Sequence, residues 1–192
     1  MSEVLASQPV SALGGARFDG FAKVREIGPW GMISLRAKPD AAGLAEAVKA
    51  AVGTGLPEMR RMVWDGAADT GRGCGWMSPD EYLLILPYGE VKEAMAKLAK
   101  GLEGVHHLAT DVSDARAIFR IEGVKADDVL AKLCPADLAK LAEGELRRTR
   151  VAQVAGAFWA AEGGYTLVSF RSVAGYVMGL LEHSAQPGSE FE

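Results

Sequence analysis

The sequence predicts an α+β fold, a mixed and largely antiparallel sheet with helices packed on it. Three observations lead there. Strand-like runs alternate with amphipathic helical stripes along the chain. Turn signals between several strands are short enough for hairpins. Composition is that of an ordinary globular domain, with 49% hydrophobic and 24% charged residues over 192 positions. A chain of this size buries enough surface to hold a core without disulfides. Strand–helix–strand units mixed with hairpins fit split βαβ units of the ferredoxin-like type. The expected organisation is an N-terminal extension over residues 1–20, one α+β domain over 21–183 and a flexible tail over 184–192.

Each element follows from local pattern. Phe21 to Ile27 and Met32 to Arg36 read as strands joined by the turn Gly28-Pro29-Trp30-Gly31. A helix starts at Asp40, with Leu44, Val48 and Val52 on one face and Pro57 beyond its end. Arg61 to Trp64 is a short strand, and Ala67 to Gly75 (AADTGRGCG) reads as a glycine-rich loop. Tyr82 to Leu86 is continuously apolar, as in a buried strand. Val91, Met95, Leu98 and Leu102 make a helical stripe that Gly101 is placed to cap.

His107 to Val112 and Arg116 to Glu122 are strands around Ser113-Asp114. In the second, Ala117, Phe119 and Ile121 share one face, with Arg116 and Arg120 on the other. Asp127 to Leu133 is a helix ended by Pro135, which starts a helical turn through Leu141. Arg148 to Trp159 reads as a long strand or bent hairpin arm with a bulge at Gly156. Tyr165 to Phe170 follows Gly163-Gly164, and a last helix runs from the N-cap Ser172 to about Glu182.

Composition also excludes. The chain has 25 acidic and 21 basic residues, a formal charge of −4, whereas a general nucleic-acid binder is normally basic. Cys74 and Cys134 form no CxxC pair, which fits a reducing compartment. No run approaches the roughly 18 apolar residues of a membrane span. The N-terminus has no basic segment leading into an apolar one. The expected location is cytoplasmic, and Gly188 to Glu192 are expected to carry no functional residue.

No catalytic or metal constellation assembles from spacing. His106 and His107 point to opposite faces of a strand; His107 and Asp111 share one, but a zinc site needs three or four ligands. His183 is remote. Cys74 beside Arg72 is a reactive thiol only if exposed, and is otherwise a small residue in a tight turn; Cys134 reads as a buried hydrophobe. There is neither a GK[ST] phosphate loop nor a GxGxxG after a strand. Gly175 and Gly179 in the last helix are read as allowing close helix–sheet packing. Arg147, Arg148, Arg150 and Arg171 are the best candidates for a partner interface, since guanidinium pairs bidentately with carboxylate. For any single one of them a solvated strand end is the simpler reading.

Six ordered segments carry a family resemblance: Pro9 to Leu13 (PVSAL), Trp76 to Pro87 (WMSPDEYLLILP), Asp111 to Gly123 (DVSDARAIFRIEG), Leu130 to Leu138 (LAKLCPADL), Arg147 to Trp159 (RRTRVAQVAGAFW) and Ser169 to Leu181 (SFRSVAGYVMGLL). Together they resemble the gamma subunit of bacterial heterotetrameric sarcosine oxidase. The central and C-terminal parts are also similar, more loosely, to the folate-binding domain of glycine-cleavage T-protein. The resemblance implies a complex that oxidises sarcosine to glycine. That complex passes the one-carbon unit to tetrahydrofolate or releases it as formaldehyde, and forms hydrogen peroxide.

It implies that FAD, FMN, NAD, tetrahydrofolate and zinc belong to the alpha, beta and delta subunits. This chain is expected to hold no cofactor and no catalytic residue, and to dock on alpha. The T-protein relatives carry an acidic residue on the strand matching Thr149 to Ala161. Here that stretch contains no Asp or Glu, and Gln153 is its only side-chain amide. A neutral amide cannot act as a general base. The alternative reading is a stand-alone folate-dependent one-carbon transferase of the T-protein type. A redox or regulatory domain built on Cys74 is a third.

Overall fold

The chain changes sheets twice, so a computed structural model of it contains two sheets rather than one. Residues 8–66, 71–142 and 144–191 are described. The strands β1 (Arg17–Asp19) and β2 (Lys23–Ile27) come first. At residues 28–30 the chain crosses to a second sheet. There it forms β3 (Gly31–Ala37), α1 (Leu44–Val52), β4 (Met62–Asp65), β5 (Arg72–Ser78), β6 (Glu81–Leu86), α2 (Val91–Gly101) and β7 (His107–Asp111). It returns at residues 112–115 to complete the first sheet with β8 (Arg116–Glu122), α3 (Ala126–Ala131), β9 (Leu146–Val151), β10 (Val154–Ala161), β11 (Gly164–Phe170) and α4 (Ala174–Ser184).

The spatial orders are β1-β2-β8-β11-β10-β9 and β4-β5-β6-β3-β7. Every ladder between these strands is antiparallel. Since β3 lies between β6 and β7 and is antiparallel to both, β6–α2–β7 is a split βαβ unit. The α+β class and the antiparallel character agree with the sequence reading. The division into two sheets was not foreseen, because a change of sheet leaves no periodic signal.

Side chains alternate across each strand, so each sheet has two faces to cover. On the second sheet, Ile33, Leu35, Leu84 and Leu86 pack under Leu44, Val48, Leu98 and Leu102 of the α1/α2 layer. On the first, Phe119, Ile121, Phe158 and Leu167 pack under Val129, Leu130, Val177 and Leu181 of α3 and α4. The two remaining faces meet. Met32, Leu83 and Ile85 lie against Ile118, Ala157, Trp159 and Val168, joined by Met62 and Leu146. The result is four layers, helix–sheet–sheet–helix. An antiparallel sheet commonly leaves one face in water; here both are covered, which is why β6 is apolar along Tyr82 to Leu86.

The crossings are tied to one another. Val112 N–H donates to Met32 O at 2.9 Å, and Met32 N–H to Ser113 Oγ at 3.0 Å. At the far side, Leu146 N–H donates to Arg60 O at 2.9 Å, and an isolated bridge joins Arg61 to Glu145.

Several local expectations are corrected. Residues 72–75 of the expected Ala67 to Gly75 loop are the start of β5, while 67–70 lie outside the described residues. The glycines are there for space: a Cβ on Gly73 would lie 2.6 Å from the Trp64 ring, and one on Gly75 2.6 Å from Leu146 Cδ1. The Arg148 to Trp159 arm is two strands, β9 and β10, turning at Ala152, which takes φ 50°. Gly156 is not a bulge: it pairs regularly with Thr149 and Ser169, and a Cβ would meet Val151 Cγ2 at 2.8 Å.

Ser172 lies in a 3-10 turn ahead of α4 and makes no side-chain cap. Gly101 is the last residue of α2 rather than a left-handed cap. Gly175 and Gly179 face outward, and a Cβ on either would meet nothing within 4 Å, so they do not serve close packing.

Both chain ends of the described region are engaged. Glu26 accepts from Ser11 Oγ and from the Leu13 and Gly15 N–H groups at 2.8–3.0 Å. Lys132 Nζ donates to Ser184 O at 2.8 Å and to Ser189 Oγ at 2.9 Å.

Trp159 is fully buried, its ring centroid 6.1 Å from that of Trp64. Truncating it opens a cavity between the sheets. Trp159→Ala is expected to cost about 3–5 kcal/mol in urea unfolding. Val124→Ala, at a position 101% exposed, is expected to change stability by less than about 0.5 kcal/mol.

Candidate functional site

A cleft lies between the inner faces of the two sheets at one end, and polar residues gather there. Strand register puts them in rows. Ile118, Val168, Ala157 and Arg148 run side by side across β8, β11, β10 and β9. One step outward, Arg116 pairs with Phe170 and Ala155 with Arg150, and the next register step sets Ala155 beside Phe170. The inner row is core except at Arg148. The outer row is the mouth of a cleft.

From the facing sheet, Glu81 on β6 projects into this cleft, buried and at the centre of a charge network. Its carboxylate accepts from Arg148 Nη1 at 3.1 Å, Arg36 Nη2 at 3.0 Å and Ser34 Oγ at 3.3 Å. Asp80 lies 3.6 Å from Arg36 Nη1. Arg148–Glu81 is thus an ion pair between sheets. The space left among Ser34, Glu81, Arg116, Arg148, Ser169 and Phe170 is about 50 Å³. That is room for a few waters or one small polar group.

Arg116 differs from its neighbours. Its guanidinium lies 4.2 Å from the centroid of the Phe170 ring, a cation–π contact. Burial pushes its pKa down, Glu81 pulls it up, and Arg148 adds to the lowering. Arg120, further along the same strand face, is held by Glu122 Oε1 and Thr166 Oγ1, each at 3.3 Å, and by the Glu162 carbonyl.

The four arginines singled out from sequence do not form one set. Arg148 and Arg150 face the cleft side. Arg147 is on the opposite face, with Nε 2.7 Å from Glu145 Oε1. Arg171 donates to Val10 O at 2.9 Å and Ser11 O at 3.2 Å, holding the N-terminal segment. Arg116, Glu81 and Phe170 were missed as site residues. The available signal was Arg116 and Arg120 on one face of a strand whose other face is wholly apolar.

The remaining candidates separate. Cys74 is fully buried beneath the α1/α2 layer, and burial pushes its thiol far up. Cys134 is also buried, its thiol pushed up to about 11. This contradicts the exposed, reactive reading of Cys74. His107 Nδ1 lies 2.8 Å from Val105 O on the edge strand β7. No cluster of three or more His, Cys, Asp or Glu fit for a metal occurs among the described residues. Gln153 sits exposed in the β9–β10 turn.

A family model for the sarcosine oxidase gamma subunit matches residues 36–186. The chain belongs to the sarcosine oxidase gamma subunit family. Among curated relatives, sarcosine oxidase subunit gamma of Corynebacterium sp. (strain P-1) is 37% identical over 125 residues, 65% of this chain and 59% of that one. Its counterpart from Arthrobacter sp. is 39% identical over 125 residues, with the same coverage. The match thus spans about three-fifths of the length of these relatives.

The fold is similar to a chain of heterotetrameric sarcosine oxidase from Corynebacterium sp. U-96, solved in complex with pyrrole 2-carboxylate. The TM-score is 0.76 with 27% identity, covering 85% of this chain and 83% of that one. The aminomethyltransferase T of the glycine cleavage system from Bartonella henselae shares the fold at TM-score 0.61 and 13% identity, over 84% of this chain and 46% of that one. The gamma family and the T-protein-like fold therefore both stand as the sequence segments suggested. No helix among the described residues is long and apolar enough to cross a membrane.

The buried thiols give a direct check. Neither cysteine is expected to react with a water-soluble disulfide reagent at pH 8 while the chain is folded, and both react in guanidinium chloride. Cys134 has a folded value of about 11 against an ordinary value of 9.0. Between those values the unfolded chain loses the thiol proton and the folded chain keeps it. Stability from this group is therefore complete below about pH 9 and lost as pH rises toward 11. Cys134→Ala should make the alkaline fall in denaturation midpoint shallower.

Proposed function

We propose that this chain is a non-catalytic gamma subunit of a heterotetrameric sarcosine oxidase, which docks on and stabilises the alpha subunit. The observation that carries the reading is family membership over residues 36–186, together with the fold match along most of both chains to a heterotetrameric sarcosine oxidase. On this reading the complex converts sarcosine to glycine, passes the one-carbon unit to tetrahydrofolate or releases it as formaldehyde, and forms hydrogen peroxide. FAD, FMN, NAD, tetrahydrofolate and zinc then belong to the alpha, beta and delta subunits, and the assembly is cytoplasmic.

The residues of this chain support a role without chemistry of its own. Catalysis at neutral pH needs a positioned acid, base or nucleophile with a tuned pKa. Cys74 and Cys134 are buried with raised thiols.

The purified chain is expected to give no sarcosine-dependent peroxide and to co-purify with an alpha subunit when the two are expressed together. Calorimetry of the chain alone with tetrahydrofolate should show no binding. Tight binding would replace this reading with a folate-dependent one-carbon transferase of the T-protein type.

A further inference from the structure

We propose that the outer row Arg116–Phe170–Ala155–Arg150, at the mouth of the inter-sheet cleft, is a docking surface for an acidic segment of a partner subunit, with two carboxylates flanking an apolar side chain. The inference rests on the subunit reading above and names the surface and the chemistry of its partner.

Charge is the first argument. Two guanidiniums line this end of the cleft, those of Arg116 and Arg148, and a third, that of Arg36, reaches Glu81 beside it. Glu81 is shared between Arg36 and Arg148, and Asp80 serves Arg36. Arg116 makes its close contact with the Phe170 ring, not with a carboxylate. Arg150, at the other end of the row, has no carboxylate within ion-pair distance among the described residues. Arg116 is half-buried and feels Glu81, but no carboxylate among the described residues lies within ion-pair distance of it. It suits a carboxylate that arrives with a partner.

Shape is the second. The centre of the row is apolar and open: Phe170 is 44% exposed, and Ala155 beside it is exposed. A stacked arginine and aromatic ring is the kind of anchor on which interfaces concentrate energy. Three strand spacings separate β8 from β9, so Arg116 and Arg150 stand about 14 Å apart. An extended segment covers that span in about four residues, leaving room for one apolar side chain over Phe170 between its acids. The pocket behind the row holds one carboxylate and little more, which favours a polypeptide side chain over a free cofactor.

The test uses the assembled complex. A tagged full-length chain is co-expressed with the alpha, beta and delta subunits, and partner retention is measured at physiological salt. An Arg116→Ala/Arg150→Ala chain is expected to retain about tenfold less partner than the unaltered chain, with an unchanged melting temperature when isolated. Arg116→Lys gives a second readout that does not depend on that variant folding. Carbodiimide activates a carboxyl group, the lysine Nζ displaces the activated oxygen to form an amide, and the reagent leaves as its urea.

Mapping that cross-link by mass spectrometry should place it on an Asp or Glu of a partner subunit. Full retention by the double variant, or a cross-link to Glu81 alone, overturns the surface. If the unaltered chain retains no sarcosine oxidase subunit, the functional reading falls and the surface falls with it.

Discussion

The contact between the inner faces of the two sheets is the constraint on which the rest depends. Each sheet has helices on its outer face and a row of large apolar side chains on its inner one, which gains stability by leaving water. Met32, Leu83 and Ile85 meet Ile118, Ala157, Trp159 and Val168 to do this. Close approach then fixes residue size elsewhere. Trp64 and Leu146 need the space that Gly73 and Gly75 leave on β5. The Met32–Ser113 hydrogen bond matters for the same reason: it ties the two places where the chain passes between sheets. The backbone bond from Leu146 to Arg60 ties the opposite edge.

That constraint also decides where polar groups can lie. Positions facing inward are apolar at the centre of the layer and charged only at its ends. Strand β8 shows both ends. Arg120 enters a closed environment and is saturated by Glu122, Thr166 and a carbonyl. Arg116, four residues away on the same face, lines the cleft and has an aromatic ring instead. The two residues are chemically identical and sit on one strand face. The difference between them is in their surroundings: Arg120 is enclosed by hydrogen-bond acceptors, and Arg116 borders the cleft.

The same constraint explains what could be read in the amino-acid order. Elements with strong periodicity were legible: α2 from its apolar stripe, β6 from its unbroken run, β8 from Ala117, Phe119 and Ile121 alternating with Arg116 and Arg120. Family membership was legible from six ordered segments. The strand start at Arg72 was not, because glycine signals a loop by its own preference and only the Trp64 ring across the ladder gives it a different purpose. The β9–β10 turn was missed because Ala152 takes a left-handed conformation that alanine rarely announces. Among the candidate interface residues, adjacent arginines looked equivalent in sequence. On a strand Arg147 and Arg148 point to opposite faces, and only register against β10 shows which face meets the cleft.

Strand register bears equally on the T-protein-like fold. The sequence resemblance sets the acid-bearing strand of those relatives against Thr149 to Ala161, which folds here as the end of β9, a turn and β10. The inward positions of β10 are Ala155, Ala157 and Trp159. Trp159 fills the centre of the inner layer, and Ala157 lies between Val168 and Arg148 against the facing sheet. A carboxylate at Trp159 would be buried among apolar groups, a cost of several kcal/mol. Ala155 and Ala157 both line the cleft and pair with arginines, Arg150 and Arg148. The packing that holds the sheets together is therefore incompatible with a buried acid in place of Trp159.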